Sequence, residues 1–248
     1  MNESNKTLQL EAQRAIHDSS PSALRRYALL TTGYPSLWGL FGYELITGLF
    51  SSCPGALGIW LRRKAYRRLF AEAGRDVIIG RNVTLRGLSR IRLGRRVVLD
   101  DNCVVDARGA GAYITLGDDV LVGRNTIVRC RGQSLTLGSG TDIGCHCLIA
   151  TDSRLEIGRD VLVAAFTYIA AGGGHNIQDK TVPIKQQGFT SKGGITIGDD
   201  CWIGSHSTVL DGVHIGRGVV VGSHSLVTKP LPDWAIAYGI PARVERSR

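Results

Sequence analysis

An aliphatic residue followed by glycine returns along most of this chain: Ile79-Gly80, Leu93-Gly94, Leu116-Gly117, Val122-Gly123, Leu137-Gly138, Ile143-Gly144, Ile157-Gly158, Ile197-Gly198, Ile203-Gly204, Ile215-Gly216 and Val221-Gly222, with Val163-Ala164 as a variant. Four positions past each aliphatic stands a small or β-branched residue: Val83, Val97, Val120, Thr126, Thr141, Cys147, Val161, Thr167, Cys201, Ser207, Val219 and Ser225. A six-residue period suits neither an α-helix nor a hairpin. It predicts an all-β solenoid, a parallel β-helix in which each six makes one flat side and a turn. The aliphatic points inward, the small residue fills the narrow angle, and glycine is expected to serve the tight backbone of the corner.

The same register accounts for the cysteines. Cys103, Cys147 and Cys201 fall in the small inward slot, where a thiol is a compact hydrophobe. The run Cys145-His146-Cys147 therefore reads as core filling and surface, not as part of a zinc site, which needs more ligands converging at suitable spacing. His206, His214 and His224 read likewise as surface or turn residues. Six cysteines without framework spacing predict reduced thiols and a cytoplasmic setting. Met1 to Ala23 is polar and carries no apolar leader core.

The period breaks once. Leu116 to Leu137 is 21 residues, Leu137 to Ile157 is 20 and Ile197 to Ile215 is 18, but Ile157 to Ile197 is 40. Against an 18-residue coil this inserts about 22 residues, spanning 171–192, and the insertion opens with "AAGGGHNIQDK". A long excursion from a regular scaffold is where function concentrates, and His175 stands near its start.

The front of the chain, residues 1–75, lacks the repeat. From Ala28 to Trp60 only Glu44 is charged, and Tyr34, Trp38, Phe41, Tyr43, Phe50 and Trp60 supply aromatic bulk. Arg25 and Arg26 precede this run; Arg62, Arg63, Lys64, Arg67 and Arg68 follow it. Pro35 and Pro54 interrupt it, leaving halves too short for a spanning helix of about 20 residues. Residues 28–68 are thus expected to be helices lying on an anionic bilayer, or alternatively a helical subdomain packed on the solenoid. The net charge of +9 is not gathered into a basic stripe with interleaved aromatics, so nucleic acid is not an expected partner.

Over residues 76–246 the chain resembles the hexapeptide-repeat acyltransferases. The resemblance is carried by the repeat, the loop histidine and the run "GGITIGDDCWIGSHSTVLDGVHIGRGVVVGSHSLVTKPLPDWAIAYGIPARVER". It is close in pattern to galactoside and maltose O-acetyltransferases and to acetyltransferases of surface-polysaccharide clusters. The resemblance implies a left-handed coil, which general crossover rules would not give, and a homotrimer with active sites between subunits. It casts His175 as general base and the Ser205 N–H as oxyanion donor. It places acetyl-CoA against Trp202, Ser223, Thr228, Lys229, Arg243 and Arg246, so that 76–248 is a catalytic domain ending in a CoA-binding tail. No metal is implied. Many relatives carry an acidic residue just before the histidine; here alanines and glycines stand there, leaving Asp152 as orienting or substrate-binding candidate beside Asn176.

The chemistry is consistent with that assignment. A thioester is already activated, so the enzyme must remove a proton from the acceptor and hold the oxyanion. Histidine suits the first task near neutrality. Cationic side chains suit the phosphates of CoA. The expected acceptor is a sugar hydroxyl in polysaccharide or lipid-linked glycan assembly, on the inner face of the cytoplasmic membrane. Alternatives are N-acetylation of an amino sugar or nucleotide sugar and, more remotely, a non-catalytic scaffold. A γ-type carbonic anhydrase would require a His-x4-His pair, which the sequence lacks.

Overall fold

The computed structural model describes residues 21–248 apart from positions 110 and 173; the polar stretch 1–20 lies outside the described residues. From Glu72 onward the chain winds through seven three-sided coils, and an eighth closes the far end. One side carries seven parallel strands from Glu72–Ala73 to His214–Ile215, and another carries seven from Thr84–Arg86 to Leu226–Val227. The remaining side stacks Ile78–Ile79 through Val220–Val221, adds Ala235–Gly239, and ends with Ala242–Ser247 antiparallel to it. This is the parallel β-helix that the hexapeptide period predicts. The first coil begins at Glu72, four residues before the expected boundary.

Register explains the repeat. Leu116, Leu137 and Ile157 stand directly over one another, as do Val122, Ile143 and Val163. Every repeat aliphatic and every small residue named above is buried. Burial raises the Cys103 thiol to about 12 and also raises those of Cys147 and Cys201. The glycines serve a different purpose from the one expected. None of the repeat glycines has a positive φ; instead the next coil's backbone occupies the place of a side chain. A Cβ at Gly144 would lie 2.7 Å from Ala165 N, and one at Gly204 would lie 2.5 Å from Ser223 N. The left-handed turn falls two residues later, at Asn125, His146, Phe166, His206 and His224, with φ between 57° and 61°. The rings of the last four stack along one edge, with centroids 4.7–4.9 Å apart.

Among the described residues, three helices precede the coils: α1 (Pro21–Thr32), α2 (Leu37–Phe50) and α3 (Gly55–Tyr66). Pro35 and Pro54 fall between them, as the sequence predicts. Ser36 caps α2 by accepting from Gly39 N–H. The helices pack on the first coil. Tyr43, Tyr66 and Phe70 join one core with Val77, Ile79 and Leu85, and the Tyr43 hydroxyl donates to Leu85 O at 3.0 Å. Arg62, grouped above with the cationic flank, is only 1% exposed. Its guanidinium donates to the carbonyls of Ile79, Phe50 and Cys53 at 2.8, 3.1 and 2.6 Å, so it ties α3 to the coil. The outer face stays apolar: Trp38 is 84% exposed, with Phe41, Leu45, Leu49, Leu57 and Trp60 also uncovered.

Candidate active site

The excursion leaves the solenoid at Gly172 and returns at Gly194. Ala171, placed above in the insertion, is the buried last residue of strand Tyr168–Ala171. A short antiparallel hairpin pairs Gly174–His175 with Phe189–Thr190 and holds His175 in the open. Asn176 braces it. Its side-chain amide donates to Gln187 O at 3.1 Å and its oxygen accepts from the Thr190 hydroxyl at 2.9 Å. The candidate substrate contact Asn176 therefore has both polar ends engaged within the loop. Farther out, Gln187 bonds the backbone of Asp179 and Val182, while the Thr181 hydroxyl and amide hold the Asp179 carboxyl below its usual range.

Sequence gives no sign of the residue that anchors the return. Asp211, on the following coil, accepts from Gly194 N–H at 3.0 Å, from the Ser191 hydroxyl at 3.1 Å and from Lys192 N–H. Its partners lie 17–20 residues away, and no local motif marks that pairing. Such bonds to a carboxylate contribute about 1.5–3 kcal/mol each, so Asp211→Ala is expected to free the loop while the coils stay folded. Trypsin should then cut at Lys185 and Lys192 at least about tenfold faster, with a small change in Tm. Unchanged cleavage would remove Asp211 from this role.

The imidazole of His175 has no hydrogen-bond partner among the described residues; the Phe189 ring stands edge-on at 6.5 Å. Asp152 lies at the root of the loop, its N–H donating to Ala171 O at 2.8 Å. Its carboxylate makes no hydrogen bond to His175 or to any other described residue.

Ser205 sits on a different edge, at the corner between Trp202–Ile203 and Thr208–Leu210. On the same edge the Arg81 N–H is capped by Asp101 of the next coil at 2.6 Å, whereas the corner amides of Arg124, Cys145, Ala165 and Ser223 are uncapped among the described residues. The Ser205 N–H has no partner among the described residues. Its hydroxyl meets that of Ser223 at 3.3 Å on the coil above. Trp202 projects outward between Leu162 and Val220, and Ser223, Thr228, Lys229, Arg243 and Arg246 are exposed on the last coil and tail. One edge thus carries an unencumbered amide with a polar, basic approach to it. Another carries a braced, exposed imidazole. Among the described residues, no group of three or more His, Cys, Asp or Glu side chains is placed to hold a metal.

The site so described combines a hexapeptide β-helix, a histidine-bearing excursion and an open corner amide. The bacterial transferase hexapeptide (six repeats) model matches residues 194–229. A probable acetyltransferase of Mycobacterium tuberculosis is 40% identical over 137 residues, covering 55% of this chain and 45% of its own length. The galactoside O-acetyltransferase of Escherichia coli is 33% identical over 134 residues, covering 54% of this chain and 64% of its own length. The chain thus spans about half to two thirds of the length of these curated relatives. AntD, an N-acyltransferase from Bacillus cereus solved with dTDP and coenzyme A, superposes with a TM-score of 0.49 at 23% identity, over 72% of this chain and 85% of that one. Residues 194–229 thus carry a hexapeptide repeat like that of bacterial transferases, and the relatives that the chain matches are named as acetyltransferases.

Proposed function

We propose that the protein is an acetyl-CoA-dependent O-acetyltransferase acting on a sugar hydroxyl in surface-polysaccharide or lipid-linked glycan assembly. The observation that carries this reading is the pairing of an exposed, braced His175 with a corner amide at Ser205 left free to donate. The likeness to a galactoside O-acetyltransferase supports oxygen as the accepting atom.

In this mechanism the thioester carbonyl oxygen lies on the Ser205 N–H. His175 takes the proton of the acceptor hydroxyl as its oxygen attacks the carbonyl carbon. The tetrahedral oxyanion gains the amide's hydrogen bond, then collapses; the carbon–sulfur bond breaks, and the imidazolium proton leaves with the CoA sulfur. Trp202, Ser223 and Thr228 would line the path of CoA, with Lys229, Arg243 and Arg246 meeting its phosphates. His175 and Ser205 stand on different edges of one prism, so we assign each site to two neighbouring chains of a homotrimer. Acyl-CoA as donor supports a cytoplasmic reaction, and the apolar outer face of α2 and α3 supports its taking place at the inner face of the membrane. Among the described residues no helix is long and apolar enough to cross a membrane.

The test is an acceptor screen. Purified protein with acetyl-CoA and panels of sugars, nucleotide sugars and lipid-linked sugars should yield an ester of added acetyl mass, destroyed by mild base. An amide product would move the reading to N-acetylation. No product, together with no CoA binding, would return the chain to a scaffold.

A further inference from the structure

Several arginines at the coil corners are neutralised by an aspartate of the adjacent coil: Arg81 by Asp101, Arg95 by Asp118, Arg96 by Asp119 and Arg159 by Asp199. Two partly buried arginines beneath the histidine excursion have no such aspartate. Arg129 lies in register with Asp106 below it and with Ala150 and Ala170 above. Arg131 follows at the corner under Asp152 and Ser153, where a Cβ on Gly132 would meet Asp152 backbone at 2.2 Å. Asp106 could have neutralised Arg129, but it is buried and both its oxygens engage Arg108 at 2.6–3.0 Å.

The guanidinium groups of Arg129 and Arg131 are left without a hydrogen bond or ion pair among the described residues. Both are partly buried, and Arg129 Nε is shut away from water with no acceptor. Burial, and then the charge of Arg129, pull the Arg131 guanidinium below its ordinary range, only partly offset by the Asp106 and Asp152 carboxylates. A charged donor hidden from water without a partner is costly, and two of like sign side by side are more so. An oxyanion between them relieves both costs and suits the forked geometry of guanidinium. The positions in register above Arg129 are alanines, Ala150 and Ala170, neither of which carries a group that could pair with it. The site lies two strand spacings, about 10 Å, below the coil from which His175 rises.

We propose that Arg129 and Arg131 bind a phosphoryl or carboxylate group of the acceptor, so that the enzyme selects acidic or phosphorylated sugars. This rests on the acetyltransferase reading for its role, but the anion site itself can be tested without turnover.

The experiment titrates inorganic phosphate and glucose 1-phosphate into the full-length protein by calorimetry, with and without saturating CoA. Wild type should bind both saturably, glucose 1-phosphate more tightly, and CoA should displace neither. Replacing both arginines by glutamine should weaken binding by about 10- to 100-fold, the usual worth of a charge-assisted pair. Arg129→Lys and Arg131→Lys, which keep the charge, should retain most of it and guard against misfolding. Equal binding by wild type and the glutamine variant, or none by wild type, would overturn the site. Displacement by CoA would overturn its assignment to the acceptor. Absence of acetyl transfer with intact phosphate binding would overturn the enzymatic reading alone.

Discussion

His175→Ala is expected to lower acetyl transfer by about 10²- to 10⁴-fold, the range for losing a general base, with fold, oligomeric state and CoA binding unchanged. The side chain is exposed and makes no hydrogen bond within the described residues, so its removal opens no cavity in the core. The hairpin around it is held by Asn176, Thr190 and Gln187, none of which depends on the imidazole. A merely structural histidine would show the reverse pattern, a falling Tm with activity per folded molecule preserved. Release of the CoA thiol under saturating acetyl-CoA, measured beside calorimetric CoA binding, separates the two. A variant retaining more than about a tenth of wild-type turnover would remove His175 from the chemistry.

The second large effect concerns the membrane. Replacing Trp38 and Phe41 by serine is expected to abolish flotation with vesicles containing anionic lipid. Both rings point into solvent, so the fold should persist, whereas a truncation that removes the helices would strip the cover from Ile79 and Leu85. Burying such a side chain in an apolar phase contributes about 1.5–3 kcal/mol. Two losses per chain thus weaken partitioning by at least about a hundredfold, and a trimer multiplies the effect. The exposed cations Lys64, Arg67 and Arg68 meet the headgroups at about 1 kcal/mol each near such a surface, so added salt should weaken wild-type binding. Arg62 contributes nothing there, being buried against carbonyls, and Arg63 is paired with Asp76. If wild type also stays with the soluble fraction at low salt, the bilayer is not what covers this face, and a soluble sugar becomes the expected acceptor.

What the sequence made readable was whatever repeats or interrupts a repeat. Leu137 and Cys147 lie in the core because a six-residue period leaves them no other direction, and the missing period between Ile157 and Ile197 marks the excursion. Proline chemistry placed the helix breaks at 35 and 54. What stayed hidden depends on contacts between neighbouring coils. Gly204 is required by Ser223 N of the next coil, not by its own φ. The Ser205 amide is open because Ser223 stands on the coil above it, where Asp101 caps Arg81 farther down the same edge. Asp211 clamps residues across 17 to 20 positions with no motif to announce it. Arg129 appears ordinary until the register shows Asp106 committed elsewhere.

The central claim is that His175 of one chain and the Ser205 corner of another make one site. Ser205→Pro is a fitting partner for His175→Ala. The Ser205 N–H makes no internal bond, and His206 after it has φ 58°, the type II turn arrangement that accepts proline in the preceding position. Each variant alone should be nearly inactive, the proline by about 10²- to 10³-fold. Thiol release from acetyl-CoA is then measured on mixed oligomers assembled from equal amounts of the two. Complementation should restore about a quarter of wild-type activity, since that share of shared sites receives both intact halves. Verified mixed oligomers that remain as inactive as either parent would contradict the shared site.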